Sequence, residues 1–155
     1  MVYRPPRRNA DSLLFFYTPP KHHFLETSPI EARELALDIA DFLHQNQAES
    51  IAILDVSVPL AITDYFVIAS ARNARHALAM SSELDFTMKQ AGRLRRNLAG
   101  NQVESTWVLL DFDEVIVHIF VDTARKFYDL EMLWGDAPSV AWQRRNRSSQ
   151  MSDRR

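Results

Sequence analysis

The sequence contains no cysteine and only three glycines among its 155 residues. The lack of cysteine excludes a disulfide framework, a thiol nucleophile and a thiolate zinc site. It also fits a reducing compartment, and we expect a cytoplasmic protein. With so few glycines there is no Gly-rich loop of the kind that cradles nucleotide phosphates. No apolar run approaches the roughly 20 residues of a membrane span, so we expect no contact with a membrane.

What the sequence does contain is typical of a globular protein, with 46% hydrophobic and 25% charged residues. The charge is unevenly distributed, however. The formal net charge of −2 divides into +3 for residues 1–25, −9 for 26–142 and +4 for 143–155. An acidic body repels nucleic-acid phosphates and attracts basic proteins. We therefore expect no sequence-specific binding of nucleic acid and consider a basic protein partner. The alternative is that the charge only keeps the domain soluble.

The two ends of the chain lack the periodicity of regular structure. Residues 1–27 hold two Pro-Pro pairs, which predicts an irregular N-terminal arm. Residues 139–155 end in a polar Arg/Ser tract, which predicts a basic, disordered tail. Residues 28–138 are then expected to form a single domain, and at this size a domain can bury a core without disulfides or metal.

The pattern within 28–138 predicts helices and strands in mixed order. A proline and a capping box at Ser28–Glu31 begin a helix that extends to about residue 46. A second helix covers about 73–91 and ends at Gly92, and a third covers about 123–134. The predicted strands are 51–56, 65–70, 106–111, 115–121 and, on a weaker pattern, 93–98. The expected fold is a single α/β domain, with a mixed sheet of about five strands and flanking helices.

Two aspartates and one histidine are the residues closest to a catalytic pattern. Asp111 and Asp113 have a spacing that could hold a divalent metal for nucleotidyl or phosphoryl transfer. The simpler interpretation is that Asp113 occupies the tight turn between two strands, because Asp tolerates positive φ. His118 lies between Ile116 and Phe120 on its face of a strand, which is typical of a hydrogen-bonded core or rim histidine. We therefore predict no catalytic residue, no metal site and no cofactor.

The last third of the chain is rich in large aromatic residues. Trp107 opens a strand and shares a face with Leu109 and Asp111, so it is either an interface anchor or a core residue. In the final helix, Phe127 and Leu130 have the spacing of core residues. On the same helix, Arg125 and Glu131 predict a solvated or ion-paired face.

Five segments, taken in order, resemble the ribosomal silencing factor (Iojap-like) family. The resemblance covers about residues 30–137, and the ordered set of five, with the closing Tyr-x-Leu-Glu-x-Leu-Trp, is strongly specific. The segments are Thr63–Ser70 (TDYFVIAS), Arg72–His76 (RNARH), Trp107–Asp111 (WVLLD), Val117–Phe120 (VHIF), and Arg125 with Phe127–Trp134 (FYDLEMLW).

The resemblance implies a fold related to nucleotidyltransferases that lacks their catalytic residues. It implies a protein that binds the large ribosomal subunit through its basic ribosomal protein number fourteen, blocks joining of the small subunit and represses translation. A role in large-subunit assembly and a homodimer are further implications. The expected partner-binding residues are Trp107, Leu109, Asp111, His118, Phe120, Tyr128 and Trp134.

Overall fold

A computed structural model of the protein describes residues 29–96 and 106–143. None of the helices in these ranges is long and apolar enough to cross a membrane. The predicted α/β architecture is confirmed. The elements in chain order are α1 (Pro29–Gln45), β1 (Glu49–Asp55), β2 (Tyr65–Ala71), α2 (Ala74–Gln90), β3 (Trp107–Asp111), β4 (Val115–Val121), α3 (Asp122–Tyr128) and α4 (Leu130–Leu133).

The sheet is mixed, as predicted, but over the described residues it has four strands rather than five. Its order is β1-β2-β4-β3, with β2 and β4 parallel and the two outer strands antiparallel to their neighbours. The weak strand predicted at 93–98 is not formed over 93–96, and residues 97 and 98 lie outside the described ranges. The segment does run beside β3, since the Arg96 amide donates to the Asp111 carbonyl at 2.8 Å.

One face of the sheet, which we call the helix-covered face, packs against α1 and α2. Its side chains are apolar and fully buried in the central strands, as at Val67 of β2 and Val117 of β4. The same core contains Ile39 of α1 and Leu84 of α2, neither of which is exposed at all. Burial on this face explains why both helices show one clear apolar stripe in the sequence.

The opposite face, which we call the aromatic face, carries Phe66 of β2, His118 and Phe120 of β4, and Trp107 of β3. Strand register places these residues on one side, because Trp107 is opposite Phe120 and Phe66 is opposite Ile116 in the neighbouring strand. This face is partly covered by α3 and α4, with α3 seven residues long and α4 four. Two such short helices cannot cover a four-stranded sheet, so part of the aromatic face lies near solvent.

The single helix predicted at the C-terminal end of the domain is wrong, because the structure has two short helices with a break at Asp129. The backbone of Asp129 is left-handed, with φ of 42°. Its amide donates to the Arg125 carbonyl and closes α3, while its side chain accepts from the Met132 amide at 3.2 Å and caps α4. Aspartate is one of the few residues other than glycine that adopts this conformation at modest cost.

The predicted start of the tail at residue 139 also needs correction. The Val140 amide donates to the Ile53 carbonyl at 2.9 Å, and Ser139 forms a β-bridge with Leu54. Trp142 packs against the helix-covered core and lies edge-on to His44 of α1, with 5.3 Å between ring centroids. The packed domain therefore extends at least to residue 142. Both the predicted arm over 1–27 and residues 144–155 of the predicted tail lie outside the described residues.

Candidate partner-binding surface

Six of the seven residues predicted to bind a partner come together around β3. Across the β3–β4 pair, Leu109 is opposite His118 and Trp107 is opposite Phe120, so these four side chains share the aromatic face with Asp111. Tyr128 of α3 joins them, with its ring centroid 4.8 Å from that of Trp107. Trp134, the seventh, lies on the same face but packs edge-on against Phe66 at 5.9 Å.

Burial divides this set into two layers. Tyr128 and Leu109 are the most exposed members, at 47% and 36%. Trp107 is partly buried, whereas Phe120 is fully buried and His118 is only 5% exposed. Side chains that cannot reach solvent cannot touch a docking protein. The structure therefore gives His118 and Phe120 a place beneath the surface, and not at it as the sequence predicted.

His118 forms the polar centre of the aromatic face. Its Nδ1 accepts a hydrogen bond from the indole Nε1 of Trp107 at 3.2 Å. The imidazole also lies edge-on to Phe66, with 4.8 Å between ring centroids. Burial lowers the pKa of His118 from 6.5 to about 4, so the ring is neutral near pH 7. The expectation of a hydrogen-bonded core or rim histidine is confirmed.

The turn interpretation of Asp113 is also confirmed, and the metal interpretation is not supported. Asp113 has a φ of 73°, and its amide donates to Oδ1 of Asp111 at 2.9 Å. The carboxylate of Asp113 pairs with the guanidinium of Arg96. Over the described ranges, no group of three or more His, Asp or Glu side chains could hold a metal ion.

Of the two alternatives for the face with Arg125 and Glu131, solvated or ion-paired, the structure has the ion pair, and it fastens α3 and α4 to the sheet. The Nε of Arg125 donates to the Glu131 carboxylate at 2.9 Å. The same guanidinium donates to the backbone carbonyl of Ser50 in β1 and, at 2.9 Å, to the hydroxyl of Ser70 in β2. Only 13% of the Arg125 side chain is exposed. This one side chain therefore connects two strands with both short helices, and so supports the position of Tyr128.

Three exposed apolar residues beside the predicted set were missed from the sequence. Phe127, Met132 and Leu133 are 80%, 79% and 69% exposed, although Phe127 was expected to be a core residue. The break at Asp129 is the cause, because it rotates α4 relative to α3. Leu130 remains buried, as expected, while Phe127 turns to solvent. An aspartate between two helical patterns is the only signal in the sequence that could have indicated this break.

An exposed apolar surface over a buried aromatic cluster, on a mixed sheet, is typical of an α/β domain that binds another macromolecule. Comparison with known families shows which family this domain belongs to. Residues 29–155 match the family model described as "Ribosomal silencing factor during starvation". The chain therefore belongs to the ribosomal silencing factor family, which includes the Iojap proteins.

Individual relatives agree with this assignment. The chain is 33% identical to the ribosomal silencing factor of Halalkalibacterium halodurans, over 71% of this chain and 91% of that protein. It is 28% identical to a mouse protein named for mitochondrial assembly of the large ribosomal subunit, over 62% of this chain and 43% of that protein. A crystal structure of a protein from Chromobacterium violaceum superimposes with a TM-score of 0.60 at 27% identity, covering 77% of this chain and 98% of that one.

Proposed function

We propose that this protein acts in the cytoplasm as a ribosomal silencing factor that binds the large ribosomal subunit and prevents the small subunit from joining. The contact on the ribosome is a basic protein, the large-subunit ribosomal protein number fourteen. Family membership supports the ribosomal role. The excess of negative charge in residues 26–142 supports a basic partner, since opposite charges steer two proteins together and fix their orientation.

One observation carries the choice of surface, namely the concentration of exposed apolar side chains around the aromatic face. Tyr128, Leu109 and Phe127 are all solvent-exposed beside the partly buried Trp107. Exposed aromatic and aliphatic side chains on a rigid base are typical of the anchors that dominate protein interfaces. We place the partner-contacting layer at Trp107, Leu109, Asp111 and Tyr128, with Trp134 at its margin and His118 and Phe120 beneath it.

The sharpest test changes the surface of the sheet without changing its core. Leu109→Lys replaces an exposed apolar contact with a positive charge that opposes a basic partner. We expect the affinity for purified large subunits to fall by roughly thirtyfold, the scale of an interface anchor. Co-sedimentation with separated subunits measures this directly, and the wild-type complex should weaken as salt is raised.

Phe86→Lys is the matched control. Phe86 is 60% exposed on α2, which packs on the opposite face of the sheet, and the substitution makes the same change in net charge. We expect it to pellet with large subunits like the wild type. Equal loss in both variants would mean that net charge, and not the aromatic face, controls binding. Wild-type protein that pellets equally with both subunits would exclude the proposed function itself.

We further propose that the protein is not an enzyme. The best catalytic candidate, a metal held by Asp111 and Asp113, has both carboxylates already engaged, one in the turn and one with Arg96.

The name of the mouse relative favours large-subunit assembly as the second candidate function. Co-sedimentation with mature and with immature large subunits separates the two roles. A silencing factor binds mature subunits, whereas an assembly factor favours immature ones.

A further inference from the structure

The hydrogen bond between Trp107 and His118 leaves a second polar atom of the imidazole buried without a partner among the described residues. Because Nδ1 of His118 accepts from the indole, the proton of the neutral ring lies on Nε2. That Nε2 is buried and has no hydrogen-bond partner among the described residues. A buried donor without an acceptor destabilises a folded protein. Phenylalanine would place a somewhat larger planar aromatic ring there and would carry no such donor.

The contacts of Trp107 indicate why a histidine at position 118 is useful despite its buried, unpaired donor. Its ring stacks on Phe120 at 5.0 Å and contacts Tyr128 at 4.8 Å. Ring contacts of this kind constrain the direction of an indole less strictly than a hydrogen bond does. The hydrogen bond to His118 adds a directional contact, and it favours one orientation of the indole.

We propose that His118 is a positioning residue for partner binding: it holds Trp107 in one orientation from beneath and does not itself touch the partner. This proposal rests on the proposed function for the identity of the partner, but the orientation of Trp107 can be tested without it. Fixing an interface side chain before the complex forms reduces the ordering cost of binding, which is the general advantage of preorganisation.

The first experiment uses the wild-type protein alone. In ¹⁵N-labelled protein at pH 7.5, we expect the His118 ring to show a pyrrole-type Nε2 and a pyridine-type Nδ1. A through-hydrogen-bond coupling should join that Nδ1 to one of the three indole nitrogens in the chain. Loss of that indole signal in Trp107→Phe assigns it. A His118 ring protonated on Nδ1 would overturn the proposal, whatever the protein binds.

The second experiment separates positioning from ordinary structural support. His118→Phe keeps an aromatic ring at this position and removes both the acceptor and the orphaned donor. We expect this variant to be at least as stable to heat at pH 7.5 as the wild type, yet to bind large subunits about tenfold more weakly. A residue with only a structural role would instead lose stability and affinity together.

His118→Asn is the conservative variant, because its side-chain oxygen can lie close to the position of Nδ1. It should be less stable than the wild type, since a smaller side chain leaves a cavity, but it should bind better than His118→Phe. Wild-type affinity in His118→Phe, or no recovery in His118→Asn, would overturn the positioning role. If wild-type protein binds no large subunits while the ring coupling is present, the proposed function fails and the orientation of Trp107 still stands.

Discussion

Trp107 and His118 are 11 residues apart in the sequence, and the register of the β3–β4 hairpin brings their rings together. Alternation along each strand predicts that Trp107, Leu109 and Asp111 share a face, and they do. It does not predict which of them faces solvent, because that depends on where α3 lies across the sheet. The sequence therefore predicts which residues share this face but not how deeply each is buried, and the structure places His118 and Phe120 beneath the surface.

The buried imidazole predicts a specific dependence of stability on pH. In the unfolded chain His118 takes up a proton near pH 6.5, whereas in the folded protein its pKa is about 4. Between these values the unfolded state binds more protons, so the free energy of unfolding falls as pH falls. We expect protonation of His118 to lower the free energy of unfolding by about 3 kcal/mol between about pH 6.5 and pH 4.

Urea denaturation at a series of pH values measures this loss. Carboxylates also titrate in the same window, so the informative quantity is the difference between the wild type and His118→Phe. That difference should change steadily between pH 6.5 and pH 4 and should be constant above pH 7. A difference that does not vary with pH would show that the imidazole is not shielded from solvent in the folded protein.

At the scale of the elements, the four strands were predicted within two residues at each end, because short apolar runs between turn residues leave few alternatives. Helix α2 was equally clear, since Asn73 caps its first turn and Gly92, with a φ of 77°, ends it. The C-terminal helix was the error. Its apolar spacing continues in phase across Asp129, and periodicity alone cannot detect a single left-handed residue.

The attachment of α3 and α4 to the sheet can be tested at Arg125. Arg125→Met keeps an unbranched apolar stem and removes the hydrogen bonds to Glu131, Ser50 and Ser70. We expect the free energy of unfolding to fall by about 2 kcal/mol, less than for a fully buried ion pair because Glu131 is one-third exposed. Large-subunit affinity should fall too, because Tyr128 is no longer held beside Trp107.

Lys126→Met is the neighbouring control. The pair between Lys126 and Asp122 is mostly solvent-exposed and lies one turn apart on α3. Its loss should change the free energy of unfolding by less than about 0.5 kcal/mol. Thermal melts of the two variants under identical conditions make the comparison. Equal losses would mean that Arg125 acts as a surface charge and does not fasten the helices.

At the scale of the whole molecule, the fold class could be predicted but the C-terminal boundary could not. Val140 and Trp142 are isolated apolar residues in a polar stretch, and no period links them to an element. Their place depends on the edge of β1 and the end of α1, which meet only in the folded domain. Contacts of this kind, between segments far apart in the chain, are the ones that a local pattern cannot show.

Two truncations test the corrected boundary. A chain that ends at Gln143 should unfold as cooperatively as the full-length protein, because every described contact of the C-terminal segment is kept. A chain that ends at Pro138 loses the Val140 hydrogen bond and the packing of Trp142. We expect it to be less stable by ~2 kcal/mol or more, from the lost apolar burial. Identical melting curves would restore the boundary at residue 138.

The β-bridge at Ser139 has a further consequence for solubility. Strand β1 is an outer strand of the sheet, and the Pro138 carbonyl and Val140 amide bond the backbone on its outer edge. An uncovered outer strand offers its backbone groups to any other extended chain and so promotes aggregation. The sheet thus depends on a segment made long after β1 for protection of that edge. A ribosome that stops before residue 140 would release a protein whose four-stranded sheet is complete but whose β1 edge is open to pairing with other chains.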